Sequence, residues 1–315
     1  MKRLLSGFGF LSIISFVVND AHAGSIYWSD FGNGNLGQRV GDIRRANIDG
    51  TSQVTLVRGL IAPAGPTLDV AGGEMYWGNN APAGDIERAN LDGTGHVTLV
   101  PGLVSAGAPA LDTANGQMYW ADGVLSGAGD IRRANLDGSG QKTLITGLSN
   151  PFPPALDLAS GEMYWADGGT GDIRRAHLDG TAPQIILQNL PGVENVALDL
   201  TAGKIYWTNG HIGDVRRANL DGSNPQIVVR DLTDPVGVAL NVNGGKLYWT
   251  DLSGGAIWQA NLDGTMQTVL VSGLPNPVLV SLDVPEPGSR TLLCLSCGAT
   301  LFARRRRLAP FYGTT

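Results

Sequence analysis

Apolar residues in this chain fall in short runs of about 4 to 8, rich in Val, Ile, Tyr, Trp and Thr, and each run is closed by Gly, Asp-Gly or Pro. That pattern predicts β-strands, and no stretch between Gly24 and Asp283 offers a convincing long helical period. The runs also recur in a fixed order. The dipeptide Tyr-Trp begins at Tyr27, Tyr76, Tyr119, Tyr164, Tyr206 and Tyr248, at spacings of 49, 43, 45, 42 and 42 residues. Behind each comes a phrase of the type GDIRRANLDG, starting at Gly41, Gly84, Gly129, Gly171, Gly213 and Gly255. A third piece is a short apolar run such as VTLV or QIVV. A fourth is of the ALD type, at Thr67, Ala110, Ala155, Ala197, Ala239 and Ser281.

Each unit therefore holds four strand-sized pieces. The Asp-Gly of NLDG predicts a hairpin turn between the GDIRRA piece and the apolar run after it, the third and fourth strands of a blade counted from its ALD strand, because both residues tolerate positive φ. Four antiparallel strands in a repeat of about 42 residues make one propeller blade. The body opens on a Tyr-Trp strand and finishes on an LD strand, so the first unit lacks its opening strand and the last segment is spare. Pairing VSLDV with SIYWSD completes the sixth blade from both ends of the chain and removes exposed edges. The expected fold is all-β: a six-bladed β-propeller with four antiparallel strands per blade, closed by its N- and C-terminal strands. A signal helix at 1–23 and a short C-terminal transmembrane helix are expected beside it.

The segment ALDLTAGKIYWTNGHIGDVRRANLDGSNPQ, Ala197 to Gln226, resembles the YWTD repeat, also called the low-density-lipoprotein-receptor class B repeat. The resemblance covers Gly24 to about Asp283 and recurs six times. It implies the same propeller and, by analogy with animal YWTD propellers, protein ligands. WD40 repeats fit less well, since their Gly-His element is missing.

The residue closing each Tyr-Trp phrase is Asp30, Asn79, Asp122, Asp167, Asn209 or Asp251. A position that accepts Asp or Asn reads as a hydrogen-bonding site of the framework more than as a general base or metal ligand. Adjacent strand residues point to opposite faces, so Arg44 and Arg45 cannot serve one basic patch. The second arginine of each pair recurs more regularly, and pairing with carboxylates of the same or a neighbouring blade is expected. Trp258 stands where other blades carry Arg or Glu, and inter-blade packing is its expected role, with an exposed anchor as the alternative.

In a meandering blade, the loops joining strands two and three share a face with those joining strand four to the next strand one. Here these are the most variable loops: FGNGNLGQRV from Phe31, NNAPA from Asn79, GVLSGA from Gly123, IAPAG from Ile61 and SNPFPP from Ser149. Rigid rings carrying variable loops are recognition designs. The ligand-binding candidates are Phe31, Asn33, Asn35, Arg39, Asn79, Asn80, Leu125, Phe152 and His211. The catalytic alternative is a channel-metal hydrolase or lyase on the same fold. Against it, His96, His177 and His211 lie in different repeats, and no nucleophile elbow or HExxH pattern is present. No catalytic residue, metal ligand or cofactor is assigned. Calcium is raised only faintly by DGGTGD, Asp167 to Asp172, which misses EF-hand spacing.

Composition bears on location and partners. The 315 residues carry a net charge of -6, with 45 Gly, 17 Pro and only 16% charged residues, which suits a turn-rich globular body. Between Gly24 and Asp283 there are 15 Lys and Arg against 26 Asp and Glu, a net of -11, so nucleic acid and anionic lipid are poor partners. That body contains no cysteine and must be stable by core burial alone. The first 23 residues, with Lys2, Arg3, an apolar run and Ala21-His22-Ala23, read as a secretory signal peptide.

The stretch from Val284 combines VPEP, the 13-residue apolar run Thr291 to Ala303 and four arginines, Arg304, Arg305, Arg306 and Arg307. As a helix the run rises about 20 Å, short of a comfortable membrane span. The trio resembles a PEP-CTERM sorting signal. That resemblance implies Pro285, Glu286 and Pro287 as the motif read by exosortase, a membrane-embedded processing enzyme of Gram-negative-type bacteria, with the tail inserted only transiently. The expected organisation is signal peptide 1–23, propeller 24–283, sorting signal 284–307 and short tail 308–315. The expected function is that of an exported non-catalytic binding or cell-surface or matrix protein. Its ligand is a protein or polysaccharide that the sequence does not identify.

Overall fold

The computed structural model describes residues 24–32, 40–81, 83–124 and 128–284. The signal peptide, the sorting motif, the basic cluster and the candidates Asn33, Asn35, Arg39 and Leu125 lie outside the described residues.

Within them the chain forms 24 strands in six four-stranded antiparallel sheets. Blade 1 is built from Pro277–Asp283, Ser25–Asp30, Val40–Asn47 and Val54–Ile61, and blade 2 from Pro63–Asp69, Glu74–Asn79, Gly84–Asn90 and Val97–Leu103. Blade 3 holds Ala110–Asp112, Gln117–Asp122, Gly129–Asn135 and Lys142–Leu148. Blade 4 holds Ala155–Asp157, Glu162–Asp167, Asp172–His177 and Gln184–Leu187. Blade 5 holds Val193–Asp199, Lys204–Asn209, Asp214–Asn219 and Gln226–Val229, and blade 6 Pro235–Asn241, Lys246–Asp251, Ala256–Asn261 and Thr268–Ser272. The closure is as expected: Ser25 pairs with Asp283, Ile26 with Leu282, Tyr27 with Ser281 and Trp28 with Val280. The opening strands of blades 3 and 4 are only three residues long, Pro109 and Pro154 standing directly before them.

The Tyr-Trp dipeptide makes the ring. Neighbouring strand residues face opposite sides of a sheet, so each Trp faces the preceding blade and each Tyr the following one. Six apolar seams result. Tyr119 with Ile131 of blade 3 packs on Met163 and Trp165 of blade 4, and Tyr248 with Ile257 of blade 6 packs on Ile26 and Trp28 of blade 1. All six of these tryptophans are fully buried. Trp258 packs at the seam between blades 5 and 6 and stacks on Trp249, ring centres 6.0 Å apart, in keeping with the inter-blade role expected of it.

The NLDG turns lock the seams at the rim. Gly264 has φ +84°, and a Cβ built on it would lie 1.9 Å from the Val228 carbonyl oxygen of the preceding blade, so only glycine fits. The Asp before it accepts hydrogen bonds from the following Thr or Ser, as Asp49 does from the Thr51 hydroxyl at 2.6 Å and its N–H at 3.0 Å. Those bonds hold the carboxyls of Asp49, Asp92, Asp137, Asp179, Asp221 and Asp263 below the usual range. Arg45, Arg175 and Arg217 contribute a smaller share across three seams, at Asp92, Asp221 and Asp263. Within their own blades Arg88 pairs with Glu74 at 3.0 Å and Arg175 with Glu162 at 3.8 Å. The more repetitive ion pairs belong to the first arginine of each doublet, at Arg44, Arg132, Arg174 and Arg216.

Candidate functional site

The residue closing each Tyr-Trp phrase is buried, and where it is Asp it fixes the loops of one face. Asp122 accepts from the backbone N–H groups of Val104 and Ser105 at 2.8 and 3.1 Å, Asp167 from Ser149 at 2.8 Å, and Asp251 from Thr233 and Asp234 at 3.2 and 3.1 Å. Burial pushes the carboxyls of Asp30 and Asp167 up, against these bonds and their arginines. In three blades a second Asp faces the first and one guanidinium bridges both: Arg44 between Asp30 and Asp42, Arg132 between Asp122 and Asp130, and Arg174 between Asp167 and Asp172. The DGGTGD loop thus spends its two carboxylates on Arg174.

Blade 2 breaks this pattern, with Glu87 in place of the arginine and Asn79 in place of the Asp. Glu87 accepts from Trp77 Nε1 at 2.8 Å and Asn79 Nδ2 at 3.1 Å and lies 3.1 Å from His96 Nε2. A neutral amide here avoids a third carboxylate beside Asp85 and Glu87. Asn79 is thereby committed to the framework.

The third letter of the phrase stitches blades together where it is Thr. Thr208 and Thr250 accept the N–H freed by an irregularity in their own inner strands, at Asn195 and Gly237 respectively. Their hydroxyls donate to the carbonyls of Val236 and Val278 in the next blade.

The irregularity turns one residue per inner strand into the channel mouth. Counted from the ALD phrase, these are Ala64, Gly107, Phe152, Glu194, Val236 and Val278, one per blade. All six line a cavity of about 200 Å³ on the face carrying the variable loops, together with Phe31, Asn80, Val124 and Leu252. Farther down the channel a second space of about 170 Å³ is walled by Pro66, Pro109, Pro154, Val196, Val238 and Val280, among others. Phe31 is 6% exposed and packs on Ala62, Val236 and Val278.

Of the described candidates, Phe31, Asn80 and Phe152 are brought together in this funnel. Asn79 lies under it, and His211 sits exposed on the rim against Gly192. Asn80 is 6% exposed and its Oδ1 has no hydrogen-bond partner.

Glu194 was not among the candidates. It is the one ionisable residue among the six inner-strand positions of the mouth, and burial, with the Asp234 carboxylate adding to it, pushes its pKa up to about 8. Superposing the six inner strands on their ALD phrase would have found it: VENVALD puts an acid where the other five blades have Ala, Gly, Phe or Val. Among the described residues no group of three or more His, Cys, Asp or Glu is placed to hold a metal ion.

This architecture belongs to the class of six-bladed β-propellers, and the comparisons agree. A chain in the crystal structure of a nidogen/laminin complex superposes with a TM-score of 0.71 at 20% identity, over 83% of this chain and 98% of that one. TolB from Acinetobacter baumannii superposes with a TM-score of 0.66 at 13% identity, over 83% of this chain and 67% of its own. No protein-family model and no curated protein matches the sequence. At these identities the likeness is one of fold.

Proposed function

We propose that this protein is an exported, non-catalytic binding propeller of the YWTD type that engages a macromolecular partner at the funnel, and that exosortase processes its C-terminal signal for the cell surface or extracellular matrix. The observation carrying this reading is the funnel. An apolar concavity of about 200 Å³, assembled from all six blades on the face whose loops vary most, has the shape and lining of a ligand site. The nidogen/laminin complex supports it by analogy, as an assembly of proteins one chain of which superposes on this fold.

The immobilised propeller and a Val236→Glu variant, exposed in parallel to secreted-protein and exopolysaccharide fractions of the producing cells, test the reading. Retention of a partner by the parent alone supports it, and equal retention by both overturns it. Mass spectrometry of the mature protein tests the sorting: an intact end at Thr315 refutes processing. A carboxyl poised near neutrality is also half of an acid–base pair. Turnover of ester or lactone probes that is lost in Glu194→Gln would overturn the non-catalytic part.

A further inference from the structure

The carboxylate and the unpartnered amide oxygen of the mouth are both acceptors. Glu194, in blade 5, and Asn80, in blade 2, stand on opposite walls, since blades 2 and 5 face each other across a ring of six. Asn80 Oδ1 is buried and unpartnered, a state that ordinarily carries a penalty a ligand donor would relieve. Among the described residues no Lys, Arg or His forms an ion pair with Glu194 or Asp234, and no cationic side chain lines the funnel. Glu194 Oε1 and Asp234 Oδ1 converge above residue 210: a Cβ built there would lie 2.5 Å from the first and 3.0 Å from the second, so both oxygens border one narrow space, the gap, that only a Gly leaves free of side chain. Ser253 donates to the other Asp234 oxygen at 2.8 Å, which leaves Oδ1 facing the gap.

We propose that the funnel seats a lysine side chain from a loop of a partner protein, its ammonium at the Glu194–Asp234 gap and a neighbouring N–H of the same loop on Asn80 Oδ1. The proposal rests on the funnel being the binding face and names what that face takes. A lysine fits both halves of the site. Its four-methylene stem lies against Val236, Leu252 and Phe152 while its head, a compact charge with three donors, meets acceptors set around a narrow gap. A guanidinium would need a wider planar slot with two parallel oxygens. The acidic body, at -11 between Gly24 and Asp283, draws a basic partner toward the face.

The site makes a signed pH prediction. The titratable groups near the gap are Glu194, Asp234 and His211, which adjoins Gly210 in sequence. With the seat empty Glu194 titrates near 8, so a cation that binds its ionised form expels a proton. Affinity for an amine therefore rises with pH between about 6 and 8, approaching tenfold per unit. A neutral ligand bonded to protonated Glu194 would show the opposite slope.

The test uses the folded chain titrated with Nα-acetyl-lysine methylamide, with the norleucine analogue as the stem without its charge, and with glucosamine as a carbohydrate amine. Chemical shifts and calorimetry at pH 6, 7 and 8 supply the readouts. The expected result is lysine binding at least about tenfold tighter than norleucine at pH 8, strengthening with pH and releasing protons. Glu194→Gln should abolish the pH slope. Gly210→Ala, which keeps every charge but fills the gap, should weaken the lysine probe while leaving norleucine unchanged. Equal binding of norleucine, a falling pH slope, no lysine binding or a preference for glucosamine overturns the proposal. If the lysine probe fails while Val236→Glu still abolishes partner retention, only this inference falls. If both fail, the binding face falls with it.

Discussion

The seams between blades and the mouth of the channel are made from the same six repeats under opposite rules. At every seam a Tyr, a Trp, the Ala near the end of the third strand and the Leu or Ile of the Asp-Gly turn after it meet in the same way. At the mouth one position is Ala, Gly, Phe, Glu, Val and Val in turn. A seam must fit its neighbour and be fitted by the next, so a change in one copy disturbs a packed interface on both sides. The mouth opens on solvent and is free to vary. Repetition therefore marks where the ring is held together, and deviation marks where it is free to recognise something.

Substitutions can break this contrast. The largest loss is expected for Trp120→Ala, which empties a fully buried site between blades 2 and 3: about 4 kcal/mol, seen as a fall of about 10 °C in Tm. A fall of only a degree or two would mean the seams do not carry the ring. Next comes a pair of glycines. Gly264→Ala forces a side chain into left-handed backbone and against the Val228 carbonyl, and should lose about 3 kcal/mol in urea denaturation. Gly245→Ala has φ +66° and open space around it, and should lose about 1 kcal/mol. If the two losses are equal, rim contact between blades contributes nothing.

At the mouth the signs change. The folded-state pKa of Glu194 is raised above its ordinary value, so its contribution is fully present below about 4.5 and is lost as pH rises to about 8. Glu194→Gln cannot ionise, and should be more stable than the parent by about 1 to 2 kcal/mol at pH 9 with little difference at pH 4. A Tm difference that does not grow with pH would remove Glu194 from the buried mouth. The smallest effect is expected for Phe152→Ala, about 1 kcal/mol in stability, since its ring is only partly buried. Its larger consequence should appear in partner binding.

The strands, blade count and closing pair were legible because they recur. Six copies of Tyr-Trp and of NLDG signal a period that no single copy would. The framework role of the Asp or Asn closing each phrase was legible too, from the interchange at Asn79 and Asn209. The funnel was half legible. The variable loops pointed to its face and to Phe31, Asn80 and Phe152, but loop composition does not tell that Asn79 turns under the mouth toward Glu87. Glu194 stayed hidden because it sits in a strand, where attention falls on the repeated ALD and passes over what precedes it. The pairing expected of the second arginines is present at Arg88 and Arg175, but recurrence alone did not reveal that the first of each doublet bridges paired carboxylates at Arg44, Arg132 and Arg174.

In five blades the hairpin turn between inner and second strands contains a glycine, Gly73, Gly116, Gly161, Gly203 or Gly245, whose carbonyl accepts from the Leu of the NLDG phrase. In blade 1 Gly24 does the same for Ile48, but the turn itself is missing: Gly24 begins the described chain and Val284 ends it, side by side. Gly24 and Val284 thus lie together on the face opposite the funnel. A group attached at either residue would sit on the far side of the ring from the mouth and leave its opening unobstructed.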